Sequence, residues 1–142
     1  NADGTIDFKG ISLFATRGGA YLGNILATEA DKREMLSRYA DLALVDSVSE
    51  RICNILSAHF KGVYEGAFGV DMMAVAREDG DGFMLHPCVE LNLRRTMGHL
   101  ALALTPTIAE PQRIMSISYA DKYRMRIHDT AKNLLNTSMV TP

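Results

Sequence analysis

The chain has 142 residues, of which 47% are hydrophobic and 23% are charged, a composition typical of one compact domain that buries about two-thirds of its unfolded surface. The 15 Lys and Arg residues nearly balance the 17 Asp and Glu residues, and the formal net charge of −2 gives no field that would attract nucleic acid or an anionic membrane. We therefore expect a small-molecule partner, with no nucleic acid and no membrane bound.

Cysteine usage and the chain ends indicate a cytoplasmic protein. Cys53 and Cys88 are too few for a secreted disulfide framework and are typical of a reducing compartment. No apolar run approaches the roughly 20 residues of a transmembrane helix, and the N-terminus has no basic-then-apolar signal pattern. Asn1 and Ala2 resemble a vector remnant, so we place the domain at residues 3–142 and expect it to be a piece of a longer protein.

The first part of the chain predicts one strand followed by two helices. Residues 6–16 alternate in polarity and end at a glycine turn, as a strand would. Residues 28–44 have apolar side chains at helical spacing, and Thr28 and Asp31 are spaced like a capping box. Residues 47–62 form the clearest helix, because Ser47 and Glu50 match the S-x-x-E capping box and Gly62 ends the apolar face.

The second part predicts a β-hairpin, then a helix, a strand and a final helix. Residues 68–75 alternate in polarity, turn through "EDGDG" and return over residues 83–93. Residues 95–104 favour a helix, residues 113–119 a strand and residues 121–136 a helix, with a linker over residues 105–111. The predicted fold class is α+β with a mainly antiparallel sheet and helices packed on one face.

The hairpin predicts a meeting of two carboxylates. With a four-residue loop over residues 79–82, Asp71 lies directly opposite Glu90, and Asn92 shares their face. Opposed residues have Cβ atoms about 4.5–5.5 Å apart, and like charges there are destabilising unless something compensates them. Mg²⁺ is suited to this role, because it takes carboxylate and amide oxygens together with nucleotide phosphates.

The stretch "GVDMMAVAREDGDGFMLHPCVELNLRRTMG" resembles the metal-binding end of the ATP-grasp ligases, in which an acid on one strand is followed, one hairpin later, by E-x-N-x-R. The matching residues are Asp71, then Glu90, Asn92 and Arg94. The resemblance covers residues 64–98 best and implies the second lobe of an ATP-grasp fold. It also implies an ATP-dependent ligase that activates a small carboxylate substrate as an acyl phosphate for attack by an amine or thiol.

The resemblance further implies the roles of single residues. Asp71, Glu90 and Asn92 would be ligands of Mg²⁺ or Mn²⁺, and Glu90, Asn92 and Arg94 would bind ATP. Arg94 would be catalytic, because a guanidinium stabilises charge on the transferred phosphoryl group. The family's nucleotide-binding lobe has no counterpart upstream here, so we expect that lobe as a partner of this chain. We also expect the isolated chain to be inactive. The surface that the upstream lobe would cover could then drive non-native self-association.

Other interpretations of the same residues stay open. The polar row is also compatible with a solvated strand face in a non-catalytic α+β module, where an arginine–carboxylate pair would contribute little. Arg95 and His99 follow the motif and could reach the same cleft, although a helix-start arginine and a surface histidine are more common. His86 and Cys88 lack the further ligands at characteristic spacing that zinc needs.

Overall fold

The computed structural model describes residues 1–108 and 113–129, and it confirms an α+β protein with antiparallel sheets. These residues form two compact units. The first unit comprises Asn1–Lys9 and Arg33–Thr96, and the second comprises Gly10–Lys32 and the described residues from Met97 onward. The strands are β1 Phe14–Arg17, β2 Ala20–Leu26, β3 Gly69–Ala76, β4 Phe83–Asn92, β5 Arg113–Tyr119 and β6 Tyr123–His128; the helices are α1 Glu29–Leu36, α2 Leu42–Phe60 and α3 Met97–Ile108.

The second unit is a four-stranded sheet in the order β1-β2-β5-β6, in which every neighbouring pair is antiparallel. Helix α3 packs on this sheet against β2. Leu26, Ala101 and Met115 form the fully buried cluster, which Leu100 and Leu104 extend. Burial of these side chains supplies the main stabilisation of this unit, at about 25 cal/mol per Å² of apolar surface.

The predicted glycine turn is confirmed, but its strand is shorter than expected. Gly18 and Gly19 have φ values of 56° and 78°, which two-residue hairpin turns require and which glycine adopts without strain. They pair Arg17 with Ala20. Strand β1 begins only at Phe14, so most of the predicted strand over residues 6–16 is irregular.

The predicted helix over residues 28–44 is two helices, because Asp41 starts a new one. Its side chain accepts a hydrogen bond from the Ala43 N–H at 2.9 Å, and this cap makes α2 begin at Leu42. The predicted start at Ser47 is therefore wrong, and Ser47 lies inside α2. The Thr28 capping box is confirmed, since the Asp31 N–H donates to Thr28 Oγ1 at 3.2 Å.

Two predictions near the C-terminus are wrong. Residues 105–108 of the predicted linker belong to α3, so the helix continues past Pro106 although proline disfavours a helix interior. Residues 123–128 of the predicted last helix form β6, because pairing with β5 selects the two-residue period of "YRMRIH" over the helical spacing of Tyr123 and Ile127. Residues 109–111 and 130–136 of these predictions lie outside the described residues.

Among the described residues, no helix combines the length and apolarity needed to cross a membrane.

Gly23 lies in β2 directly against the backbone of β5. A Cβ atom added to Gly23 would lie 2.5 Å from the Met115 carbonyl oxygen and 3.1 Å from Ile114 Cγ2. Because the obstacle is backbone, we expect Gly23→Ala to lower the free energy of unfolding by about 1–3 kcal/mol. Urea denaturation measures this loss, and an unchanged midpoint would mean that the strands separate without cost.

Candidate functional site

The candidate site is one end of the β3–β4 hairpin in the first unit. Asp71 pairs directly with Glu90, and Gly69 pairs with Asn92. Directly paired residues have side chains on the same face of a sheet, and residues two apart on one strand share that face as well. The hairpin therefore brings Asp71, Glu90 and Asn92 together on one face, as the sequence pattern predicts.

The hairpin reaches this pairing by a different route from the predicted one. Near the turn Ala76 pairs with Phe83, so the loop is Arg77–Gly82, two residues longer than expected. Farther along, Met72 is opposed by three residues of β4, 87–89, in a bulge. Pro87 has no N–H to donate to the ladder, which explains why pairing is interrupted there. The bulge adds two residues to β4, so the register returns to the predicted one at Asp71.

Asn92 is the most enclosed member of the site. Its side chain is 7% exposed, and its Nδ2 donates to Asp71 Oδ2 at 3.4 Å. Its cross-strand partner Gly69 has no side chain, and a Cβ atom there would lie 3.0 Å from Thr96 Cγ2. Sequence reasoning missed Gly69, although the predicted register already set it opposite Asn92.

Asp71 has a raised carboxyl pKa because its surroundings disfavour its negative charge. Partial burial raises the pKa of its carboxyl group above the usual 3.8, and the nearby Glu90 carboxylate raises it further. The Arg94 guanidinium and the Asn92 hydrogen bond act in the opposite direction and do not cancel the rise. Burial and the neighbouring carboxylate together therefore disfavour the charged form of Asp71.

Arg94 follows the strand that carries the other residues. β4 ends at Asn92, and the Arg94 N–H donates to the Asn92 carbonyl oxygen at 2.9 Å, which closes a three-residue turn. The guanidinium is exposed and contributes a favourable charge to Asp71. Its Nη1 donates to the Arg95 carbonyl oxygen at 3.5 Å, which is long for a hydrogen bond and therefore weak.

The other two candidates have different places in the fold. Arg95 is exposed next to Arg94 in the first unit, and His99 lies in α3, which belongs to the second unit. His86 shares a face with Met73 on the turn side of the bulge, and Cys88 lies within the bulge. Of Arg95 and His99, Arg95 therefore lies in the same unit as the motif and His99 does not.

The donor set of the site fits a hard cation in kind. Two carboxylates are directly opposed, and rotation of the Asn92 amide about its last side-chain bond exchanges Nδ2 for Oδ1 on the same side. Oxygen ligands of this type suit Mg²⁺ or Mn²⁺. Within residues 1–108 and 113–129, no group of three or more His, Cys, Asp or Glu side chains is arranged to hold a metal. An ion here would thus use two carboxylates, one amide and ligands supplied by a bound phosphate or water.

Comparison of the chain with protein-family models, with curated proteins and with solved structures finds no match. The resemblance to ATP-grasp ligases accordingly depends on the motif residues and on their geometry in the hairpin.

The raised pKa of Asp71 predicts a specific pH dependence of stability. Between the usual value of 3.8 and the raised value, the folded protein binds more protons than the unfolded chain, so stability falls as pH rises through this window. Asp71→Asn removes this titration and keeps an oxygen that can accept from Asn92. Above the window we expect the variant to be more stable than the wild type by up to about 1 kcal/mol. Below it the difference should disappear. Urea denaturation in EDTA from about pH 3 to pH 7 measures both limits.

Asp79 in the same hairpin provides a control of opposite sign. The Arg77 guanidinium and the Asp81 N–H lower the pKa of Asp79. Its carboxylate therefore stabilises the fold above the usual pKa, and that contribution is lost as pH falls through the lowered value. Asp79→Asn should reduce stability at neutral pH. A neutral-pH effect of the same sign in both variants would contradict the assigned repulsion at Asp71.

Proposed function

We propose that this chain is the Mg²⁺- and ATP-binding half of a cytoplasmic, carboxylate-activating ligase, similar to the second lobe of an ATP-grasp fold. The observation that carries the proposal is the direct pairing of Asp71 with Glu90, with Asn92 on the same face. Acid, acid and amide at these positions are the residues that the ATP-grasp resemblance implies as metal ligands.

The repulsion between the two carboxylates supports a cation as the partner of this site. Two carboxylates held side by side on paired strands destabilise each other, and partial burial of Asp71 increases this cost. A divalent ion reverses the sign of this interaction, since each carboxylate then faces two positive charges. Sites that carry such a cost in the empty protein are typical of functional positions.

The proposed chemistry assigns each side chain a limited task. Asp71, Glu90 and Asn92 would hold one divalent ion, whose positive charge would offset the phosphate charge of ATP when a phosphoryl group is transferred to the substrate carboxylate. Arg94, exposed and just beyond the strand end, would stabilise the developing charge on the transferred group. The base and the remaining phosphates would be bound by the upstream lobe.

The first test is Mg²⁺ binding by the chain itself. Melting curves with and without Mg²⁺ should show a higher melting temperature with the ion, and at about 100 times Kd the added stability is about 2.7 kcal/mol. Glu90→Gln replaces one anionic ligand by an amide of the same shape. We expect this variant to bind Mg²⁺ at least about tenfold more weakly, a loss of about 1.4 kcal/mol.

The matched control for this test is Glu78→Gln, which makes the same change in the loop of the same hairpin. Glu78 is exposed and remote in register from Asp71, so its variant should respond to Mg²⁺ as the wild type does. An equal response of wild type and Glu90→Gln would exclude the metal site. If Mg²⁺ raised the melting temperatures of the wild type, Glu90→Gln and Glu78→Gln equally, the ion would bind at another site.

The second test concerns catalysis in the chain joined to a nucleotide-binding lobe. There, Glu90→Gln should reduce turnover by about 100-fold or more, because the ion contributes several kcal/mol to charge stabilisation during phosphoryl transfer. The unfolding midpoint without metal should not fall, since one of two opposed charges is removed. ADP release in the presence of a panel of carboxylic acids provides the assay. Unchanged turnover would end the ligase assignment and favour a non-catalytic module.

A further inference from the structure

Strand β6 ends the sheet of the second unit with an open edge. It pairs with β5 on one side through six residue pairs, from Ile114 with His128 to Tyr119 with Tyr123, and no described strand pairs with its other side. All six residues of β6 are exposed. Such an edge has unpaired N–H and C=O groups that can accept another strand.

One face of this edge has an apolar row. Tyr123, Met125 and Ile127 lie opposite Tyr119, Ile117 and Met115 of β5. Met115 of β5 is fully buried, whereas its partner Ile127 on β6 is 37% exposed. Along β6, exposure rises toward the turn that joins β5 and β6, and Tyr123 is 79% exposed. The apolar row of β6 therefore continues the face of the sheet on which α3 packs, but its own side chains remain exposed.

The other face of the same edge has a basic row. Arg124, Arg126 and His128 alternate with the apolar residues, and they lie opposite Ser118, Ser116 and Ile114. Arg124 also contacts Asp121 at 3.3 Å at the surface, where such a pair contributes little. The edge therefore presents two arginines and a histidine on one face and apolar side chains on the other, in strict alternation.

Charge and register disfavour a second copy of β6 as the occupant of this edge. In an antiparallel pairing of β6 with itself, one register sets Arg126 opposite Arg126, and like charges there are destabilising. The register shifted by one residue sets each arginine opposite an apolar residue. Neither arrangement satisfies both rows.

Single-stranded nucleic acid also fits poorly. It needs aromatic side chains for base stacking on the same surface as the cations that contact phosphate. Here the Tyr119 and Tyr123 rings, whose centroids are 4.9 Å apart, belong to the face opposite the arginines.

We propose that β6 is the docking edge for an extended polypeptide segment in which acidic and apolar residues alternate. The segment adds a fifth strand to the sheet. Its acidic side chains lie beside Arg124, Arg126 and His128, and its apolar side chains cover Tyr123, Met125 and Ile127. Main-chain hydrogen bonds provide affinity, and the alternation fixes which face each side chain takes. This surface belongs to the second unit and is independent of the proposed metal site.

The proposal is tested with the full chain and a fluorescent eight-residue peptide of alternating glutamate and valine. We expect saturable binding with a Kd below about 1 mM, weakened by added salt. A peptide with lysine for glutamate should not bind. N-methylation of alternate residues blocks the N–H donors on one edge of the peptide only, so this peptide should still bind, through its other edge. Methylation of both sets should abolish binding, because strand addition requires the N–H donors.

Arg126→Glu should weaken binding of the glutamate–valine peptide by about tenfold or more, since it turns an attractive cross-strand pair into a repulsive one. The matched control is Arg17→Glu, which makes the same change on β1 at the opposite edge of the same sheet and should leave Kd unchanged. Arg126→Gln keeps the test valid if the charge reversal fails to fold, with a smaller loss expected.

Four results would overturn the proposal: no binding at millimolar peptide, equal loss in Arg17→Glu and Arg126→Glu, undiminished binding of the fully N-methylated peptide, or preference for an oligothymidine strand over the peptide. Sedimentation of the chain without peptide measures its oligomeric state and tests a second copy as the occupant. Self-association that Arg126→Glu abolishes would assign the edge to a second copy instead.

Discussion

The opposed carboxylates of Asp71 and Glu90 are the constraint around which the first unit is arranged. A hairpin that only needed to be stable would place an opposite charge or an apolar residue across from Asp71. Here the strand pairing forces two acids together, and partial burial raises the pKa of Asp71. The hairpin thus retains a local cost that a bound cation would convert into an attraction.

The bulge at Pro87 allows this pairing to coexist with the loop. The six-residue loop leaves the turn half of the hairpin two residues out of the predicted register, and the three residues of β4 opposite Met72 restore it. An even displacement keeps every side chain on its face, whereas a shift of one residue would turn Glu90 away from Asp71. Bulges are frequent next to functional sites for this reason.

The second unit solves a different problem, that of a polar residue inside a core. Asn24 is 1% exposed, and its Nδ2 donates to Ser12 Oγ at 2.9 Å while its Oδ1 accepts from the Tyr21 hydroxyl. Burial raises the pKa of Tyr21 to about 12, so the hydroxyl remains a donor at neutral pH. With both polar atoms of the Asn24 amide hydrogen-bonded, the polar side chain is accommodated beside the apolar core of this sheet.

The sequence by itself determined the features that depend on local patterns. Alternation set Asp71, Glu90 and Asn92 on one face, glycines set the β1–β2 turn, and the Thr28 box started α1. Tertiary structure decided the rest, because long-range pairing outweighs local preference. Pairing with β5 made residues 123–128 a strand although their spacing also suits a helix, and the Pro87 bulge corrected a register that loop length alone cannot give. The division into two units, which partitions residues by contacts distant in sequence, has no local signal at all.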